Sequence, residues 1–181
     1  MFKVITNLTI IAVMLMSCST NKNDDSATAP DKFTWSVQLA GYEHDRADQK
    51  GETDYANFIR EFETFPWLEQ LERYQQIQQG SSPTMTVKDL KTGKGFWVLM
   101  SGDRDAHGYL IGYTYPKEKK VEGIDSRKAE STRWLEVYLT SDPVIVKECF
   151  KRFFDRDYDK LEAKIKRLDP FGEMEAEDFT F

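Results

Sequence analysis

The sequence predicts an α+β domain in which an antiparallel sheet of about five strands carries helices on one face, with the element order β-α-β-β-β-β-α-α. Apolar residues alternate with polar ones in several short segments, and they recur at spacings of three and four in others. The connections between most neighbouring strand segments are short, which favours antiparallel pairing. The chain has 181 residues, enough for one domain with a substantial core.

The first strand and the first helices are recognised by their different apolar periods. Within residues 33–39 every second residue is large and apolar, which indicates a strand with one buried face. A charged loop follows as far as Asp54, which is a predicted N-cap for the first helix. Pro66 restarts the helix, and Gly80 ends it. The apolar stripe of this helical region comprises Tyr55, Phe58, Ile59, Phe62, Trp67, Leu71 and Tyr74.

The remaining strands are predicted from apolar segments separated by glycine-containing turns or by charged residues. They are Thr84–Asp89, Phe96–Met100, Tyr109–Tyr115 and Arg133–Thr140. In the last of them, we expect Leu135, Val137 and Leu139 to face the core. The charged segment Lys117–Thr132 is predicted to be a mobile loop.

The C-terminal part predicts two helices and a tail. Asp142 and Pro143 have the residue types of an N-cap and a first helical position. The apolar face of the first helix includes Cys149, which we expect to be a buried thiol. A second helix begins near Tyr158 and ends at Asp169-Pro170. Residues 171–181 are acidic and are predicted to be a disordered tail.

The N-terminus has the layout of an export signal. Lys3 is followed by an uncharged, mostly apolar run, which is shorter than the roughly 20 apolar residues of a membrane-spanning helix. The run ends in Leu15-Met16-Ser17-Cys18, which resembles the lipobox of bacterial lipoproteins. That resemblance implies removal of residues 1–17 as a signal peptide and acylation of Cys18, for example with palmitate. Residues 18–31 would then be the acylated cysteine and a flexible tether, followed by a domain over 32–170.

The residues after the cysteine bear on localisation in the cell envelope. The residue after Cys18 is Ser19 rather than an aspartate, which in proteobacterial lipoproteins favours the outer membrane. Residues 22–25 resemble the acidic surface-export signal of Bacteroidota lipoproteins. We therefore expect a lipid-anchored envelope protein of the outer membrane. These residues do not decide between its periplasmic and its surface leaflet.

Composition excludes several classes of partner. The chain has 25 Lys and Arg against 31 Asp and Glu, a formal net charge of −6, which disfavours nucleic acid and fits a basic protein partner. If Cys18 is acylated, only Cys149 remains, so neither an intramolecular disulfide nor a cysteine zinc site can form. We predict no cofactor, no metal and no small-molecule ligand.

Catalytic motifs are weak. Asp103–Gly108 spaces oxygen ligands like a calcium loop, but Thr114 stands where that loop requires a glutamate, so we expect a polar hairpin turn. His107 lies near Ser101 in the sequence, without a nucleophile elbow, a zinc-protease motif or a phosphate loop. We expect a protein that is not an enzyme, and a hydrolase using Ser101 and His107 is the alternative.

A candidate surface for binding a partner comes from the last predicted strand. Trp134, Glu136 and Tyr138 alternate with the apolar residues of that strand, and tryptophan and tyrosine beside carboxylates are typical of protein interfaces. Glu122 and Asp125, in the charged loop, are further candidates. If helices cover both faces of the sheet, the aromatic residues are instead part of the core.

The size, anchor, acidity and layout of the chain resemble those of small immunity lipoproteins, with which bacteria neutralise toxins delivered by neighbouring cells, and more remotely those of lysozyme-inhibitor lipoproteins. The resemblance implies a protein that binds a toxin and occludes its active site. A structural or assembly lipoprotein of an envelope complex is the alternative without a toxin.

Overall fold

The protein is described by a computed structural model covering residues 31–120 and 129–176, and the following account concerns these ranges. The strands are β1 (Phe33–Gln38), β2 (Asp48–Thr53), β3 (Thr84–Asp89), β4 (Gly95–Gly102), β5 (His107–Lys120), β6 (Ala129–Thr140) and β7 (Asp169–Glu175). The helices are α1 (Tyr55–Thr64), α2 (Trp67–Ile77), α3 (Pro143–Phe154) and α4 (Tyr158–Ile165).

The described strands form one seven-stranded sheet in the order β2-β1-β3-β4-β5-β6-β7. Every neighbouring pair is antiparallel, which confirms the α+β class with an antiparallel sheet. The two strands beyond the predicted five are the edges, β2 and β7. Neither has an apolar alternation: β2 is polar throughout, and β7 contains Pro170 and Gly172, which are residue types of edge strands.

Two segments predicted to lack regular structure are partly strand. Disorder from residue 171 onward is wrong as far as Glu175, because β7 pairs with β6 from Leu139 to Trp134. The predicted loop at Lys117–Thr132 is strand at both ends, where Lys117 pairs with Thr132 and the ladder continues to the pair Lys120 and Ala129. Charge alone was a poor guide here, since an edge or hairpin strand can have both faces polar.

The predicted helix starts are confirmed. The Asp54 carboxylate accepts a hydrogen bond from the Asn57 amide at 2.8 Å, and it caps α1. Asp142 accepts from the Val144 amide at 2.8 Å, with Pro143 in the first turn of α3.

All four described helices pack on one face of the sheet, which we call the helix face. The largest fully buried side chains there are aromatic, and rings of α1 and α3 contact each other and β4, with 4.6 Å between the centroids of Phe58 and Phe150. The core members from the helices are Phe58, Phe62, Trp67, Leu71, Val146, Cys149, Phe150, Phe153, Leu161 and Ile165.

A buried ion-pair network fixes the β3–β4 turn against the α3–α4 junction. Asp89 is fully buried and accepts hydrogen bonds from Arg156 Nε at 2.8 Å and Nη2 at 3.0 Å. The hydroxyls of Tyr158 and Thr92 also donate to it. Burial opposes ionisation of Asp89, but these donors outweigh it and hold the pKa of its carboxyl well below the usual range.

The other side of the sheet, which we call the second face, carries the apolar residues of β6. Leu135 and Val137 are buried in a separate cluster with Ala176, against which Trp97 and Leu110 pack. The prediction that these β6 residues face the main core is therefore wrong. Strand alternation was read correctly, but its two sides were exchanged, because both sides of β6 carry large side chains.

Candidate interaction surface

The predicted binding residues of β6 lie on the helix face. Trp134 pairs with Tyr115, whose side chain packs against the main core. Glu136 is 9% exposed and Tyr138 is 8% exposed. The expectation that Trp134, Glu136 and Tyr138 lie on an uncovered face is therefore wrong. The Glu136 and Tyr138 side chains offer little area to a partner.

Glu136 is held by two tyrosines. Its carboxylate accepts hydrogen bonds from the Tyr115 hydroxyl and from the Tyr138 hydroxyl, each at 2.8 Å. Burial raises the pKa of both tyrosines, and the hydrogen bonds to Glu136 raise it further. The tyrosines thus remain protonated donors, and the arrangement has the geometry of a satisfied buried polar group.

The other predicted residues separate into two groups. Trp134 is half-buried, and the Lys117 ammonium lies 3.9 Å from the centroid of its ring. Cys18, Glu122 and Asp125 lie outside the described residues.

The second face carries a cavity at the end of the sheet near the β4–β5 turn. Its volume is about 400 Å³. Leu110, Leu139 and Phe171 supply apolar walls from β5, β6 and β7, and Gly102 and Gly108 also line the cavity. Apolar cavities of this size with a few polar groups at the rim are typical binding sites.

Exposed apolar side chains continue from this cavity along the β6–β7 edge. Leu139 is 40% exposed, Met174 is 50% exposed and Phe171 is 68% exposed. Met174 pairs with Leu135 of the second-face cluster, so the exposed residues and the cluster are continuous. We call Leu110, Leu139, Phe171 and Met174 the edge patch. Sequence reasoning missed it because residues 171–174 were read as tail.

The edge patch is bordered by a carboxylate on the second face. Asp169 lines the cavity itself. Glu173, in the same strand, pairs with Glu136 and therefore lies on the helix face, where it helps to raise the pKa of Tyr115 and Tyr138. The arrangement can therefore accept an apolar side chain together with a neighbouring basic group.

Three residues of hydrolytic type line the same cavity: Ser101, His107 and Asp169. Ser101 pairs with Gly108, next to His107 in the chain. The His107 ring lies with Nδ1 3.1 Å from the Arg104 carbonyl oxygen. Within residues 31–120 and 129–176, no hydrogen bond joins any two of the three side chains, so a relay would require reorientation.

The remaining reactive groups have structural surroundings. Cys149 is fully buried on α3, as predicted, and burial raises the pKa of its thiol to about 12. Asp103 accepts hydrogen bonds from the amides of Asp105 and Ala106, which is the geometry of a polar turn. In the described part of the chain, no three histidine, cysteine or acidic side chains are grouped to hold a metal ion.

The comparisons with known proteins identify no relative: no protein-family model, curated protein or solved structure matches the sequence significantly. Among the described helices, none is both long and apolar enough to cross a membrane.

Proposed function

We propose that the chain is a lipid-anchored protein of the bacterial cell envelope that binds and neutralises a protein partner through its β6–β7 edge, as an immunity protein against an antibacterial toxin. The observation that carries the binding proposal is the edge patch beside the 400 Å³ cavity. The anchor rests on the lipobox at Cys18, and the outer membrane is its proposed location.

The edge patch has the composition of a binding hot spot. Phe171 is 68% exposed, although aromatic side chains of soluble domains are more often buried. Aromatic anchors next to a concave site contribute most of the binding energy in many interfaces. Phe171 stands at the cavity rim, so a partner side chain in the cavity would also cover the Phe171 ring.

The charges beside the patch favour a basic partner. Asp169 lines the cavity, and the net charge of the chain is −6. An acidic inhibitor steers a basic toxin electrostatically and raises the association rate. Neutralisation would follow from steric occlusion of the toxin's active site, without chemistry by this chain.

The test compares two single substitutions in binding to the secreted protein encoded beside the gene. Full-length chain in nonionic detergent is immobilised, and the affinity for the purified neighbour-encoded protein is measured by biolayer interferometry. Phe171→Ser should weaken binding at least about thirtyfold, the effect of losing a hot-spot side chain. Leu68→Ser is the matched control, because Leu68 is an exposed apolar residue on α2, away from the patch.

Two outcomes would contradict the proposal. Equal affinity of the Phe171→Ser and Leu68→Ser variants would remove the edge patch as the binding surface. No binding by the unsubstituted chain, together with stoichiometric recovery of an envelope complex from solubilised membranes, would favour the structural or assembly class.

A hydrolase is the second candidate, favoured by the convergence of Ser101, His107 and Asp169 on one cavity. Hydrolysis of chromogenic esters by the full-length chain should then be lost in Ser101→Ala and in His107→Ala. Ser141→Ala is the control, because Ser141 lines the same cavity. Activity that is absent in the unsubstituted chain, or equal in all variants, would exclude this mechanism for those substrates.

A further inference from the structure

Two basic side chains line a second cavity, where the second face meets the β3–β4 turn. This cavity has a volume of about 380 Å³. Lys88 of β3 and Arg133 of β6 contribute to its lining, with Thr92 and Gly93 from the turn. It lies at the opposite end of β4 and β5 from the cavity beside the edge patch, since Gly95 begins β4 and Ser101 is near its end.

The strand register explains how cations from β3 and β6 reach one cavity. Lys88 pairs with Gly95, and Gly95 pairs with Thr114 of β5. A Cβ at Gly95 would lie only 2.5 Å from the Thr114 hydroxyl oxygen, so no side chain fits there. Arg133 pairs with Pro116, which also lines the cavity. Gly95 therefore places no side chain between the strands that carry the two cations.

The electrostatics of the cavity are those of an anion site. Burial lowers the pKa of Lys88, and the nearby Arg133 guanidinium lowers it further, so two cationic groups lie at this one cavity. Asp89 also lines the cavity, but its charge is paired with Arg156. Within the described ranges, the Arg133 guanidinium has no carboxylate at ion-pair distance.

We propose that this cavity binds a phosphate-type anion, with the Arg133 guanidinium and the Lys88 ammonium as its cationic contacts. A guanidinium presents paired N–H donors that match two phosphate oxygens, and an ammonium supplies a point charge beside them. The phosphate group can belong to a soluble phosphate compound or to a phospholipid headgroup. The second source rests on the proposed lipid anchor: Asp31, the first described residue, forms an ion pair with Lys91 of the β3–β4 turn, next to the cavity-lining residues Leu90 and Thr92.

The binding test uses full-length chain in nonionic detergent and inorganic phosphate as the probe. Equilibrium dialysis against radiolabelled phosphate should show saturable binding to one site per chain. Arg133→Gln and Lys88→Gln should each weaken it about tenfold or more, through loss of a charge-assisted contact. Lys50→Gln, on the exposed edge strand β2, should leave it unchanged.

The Arg133→Lys variant distinguishes the loss of the positive charge from a loss of folding. It should retain more phosphate affinity than Arg133→Gln at equal thermal stability. Absence of saturable phosphate binding by the unsubstituted chain overturns the proposal. So does equal affinity in Arg133→Gln and Lys50→Gln.

A competition arm identifies the source of the phosphate. Glycerol phosphate and short-chain phosphatidylglycerol are each tested for displacement of phosphate, with short-chain phosphatidylcholine as the zwitterionic lipid control. Displacement by phosphatidylglycerol at a lower concentration than glycerol phosphate assigns the site to a headgroup, and the reverse order assigns it to a soluble compound. Phosphate binding needs no protein partner, so this result is independent of the edge-patch experiment.

Discussion

Removal of the Asp89 charge should destabilise the domain strongly, since this carboxylate is the acceptor for the network joining the β3–β4 turn to the α3–α4 junction. Asp89→Asn keeps the shape but leaves Arg156 without its buried counter-ion. Loss of one partner of a buried ion pair costs about 3–5 kcal/mol. Arg156 keeps its contact with the exposed Asp31, so we expect the lower end, about 3 kcal/mol.

The assay is urea unfolding of residues 31–181, followed by tryptophan fluorescence and circular dichroism. With a typical urea dependence of about 1–3 kcal/mol per M, the midpoint should fall by about 1–3 M. Asp31→Asn is the control and should change the midpoint little, because Asp31 is exposed to solvent. A midpoint shift in Asp89→Asn no larger than that in Asp31→Asn would refute the assigned role of the network.

The same carboxylate predicts a pH dependence. The pKa of Asp89 is lowered in the folded state, so its contribution is fully present above the ordinary carboxyl pKa of about 3.9. The contribution is lost as the pH falls from there through the lower folded-state pKa. Between about pH 4 and pH 2, the unsubstituted chain should therefore lose more stability than Asp89→Asn, as measured by urea midpoints at each pH.

Other substitutions probe the two faces of the sheet. Gly112→Ala should destabilise the domain by about 1–3 kcal/mol, because the new Cβ would lie 2.0 Å from the Trp97 ring; an unchanged melting temperature would contradict this close packing. Cys149 should not react with a thiol reagent at pH 8 until urea unfolds the chain, and rapid labelling of folded protein would show that it is accessible. Glu136→Gln should lower stability but change partner affinity less than about twofold, since Glu136 is nearly buried; a large loss of affinity at equal stability would restore the helix-face residues as the binding surface.

The central fold was predictable because its elements have strong local signals. The alternation around Trp35 and the caps at Asp54 and Asp142 each specify an element by nearby residues alone. The edge strands lacked such signals. The glycines of β2 and β7 and the proline of β7 are read as breakers from sequence, whereas an edge strand tolerates them since one side of its backbone has no partner.

The candidate site was harder to predict than the fold. Both sides of β6 carry large residues, so alternation identifies two faces without showing which one the helices cover. The aromatic residues Trp134 and Tyr138 suggested an exposed face, but the Tyr138 hydroxyl reaches Glu136 under the helices. Phe171 becomes a surface residue only through the pairing of β7 with β6, which is a tertiary feature.

Amide hydrogen exchange of the full-length chain, alone and with its protein partner bound, tests most directly whether the β6–β7 edge is the binding surface. We predict slower exchange on binding in β7 and in the β4–β5 turn around Gly102 and His107, which border the edge patch and its cavity. Exchange in the core of α1 and α3 should be unchanged. Protection confined to the helices, with β7 unaffected, would contradict the proposed surface.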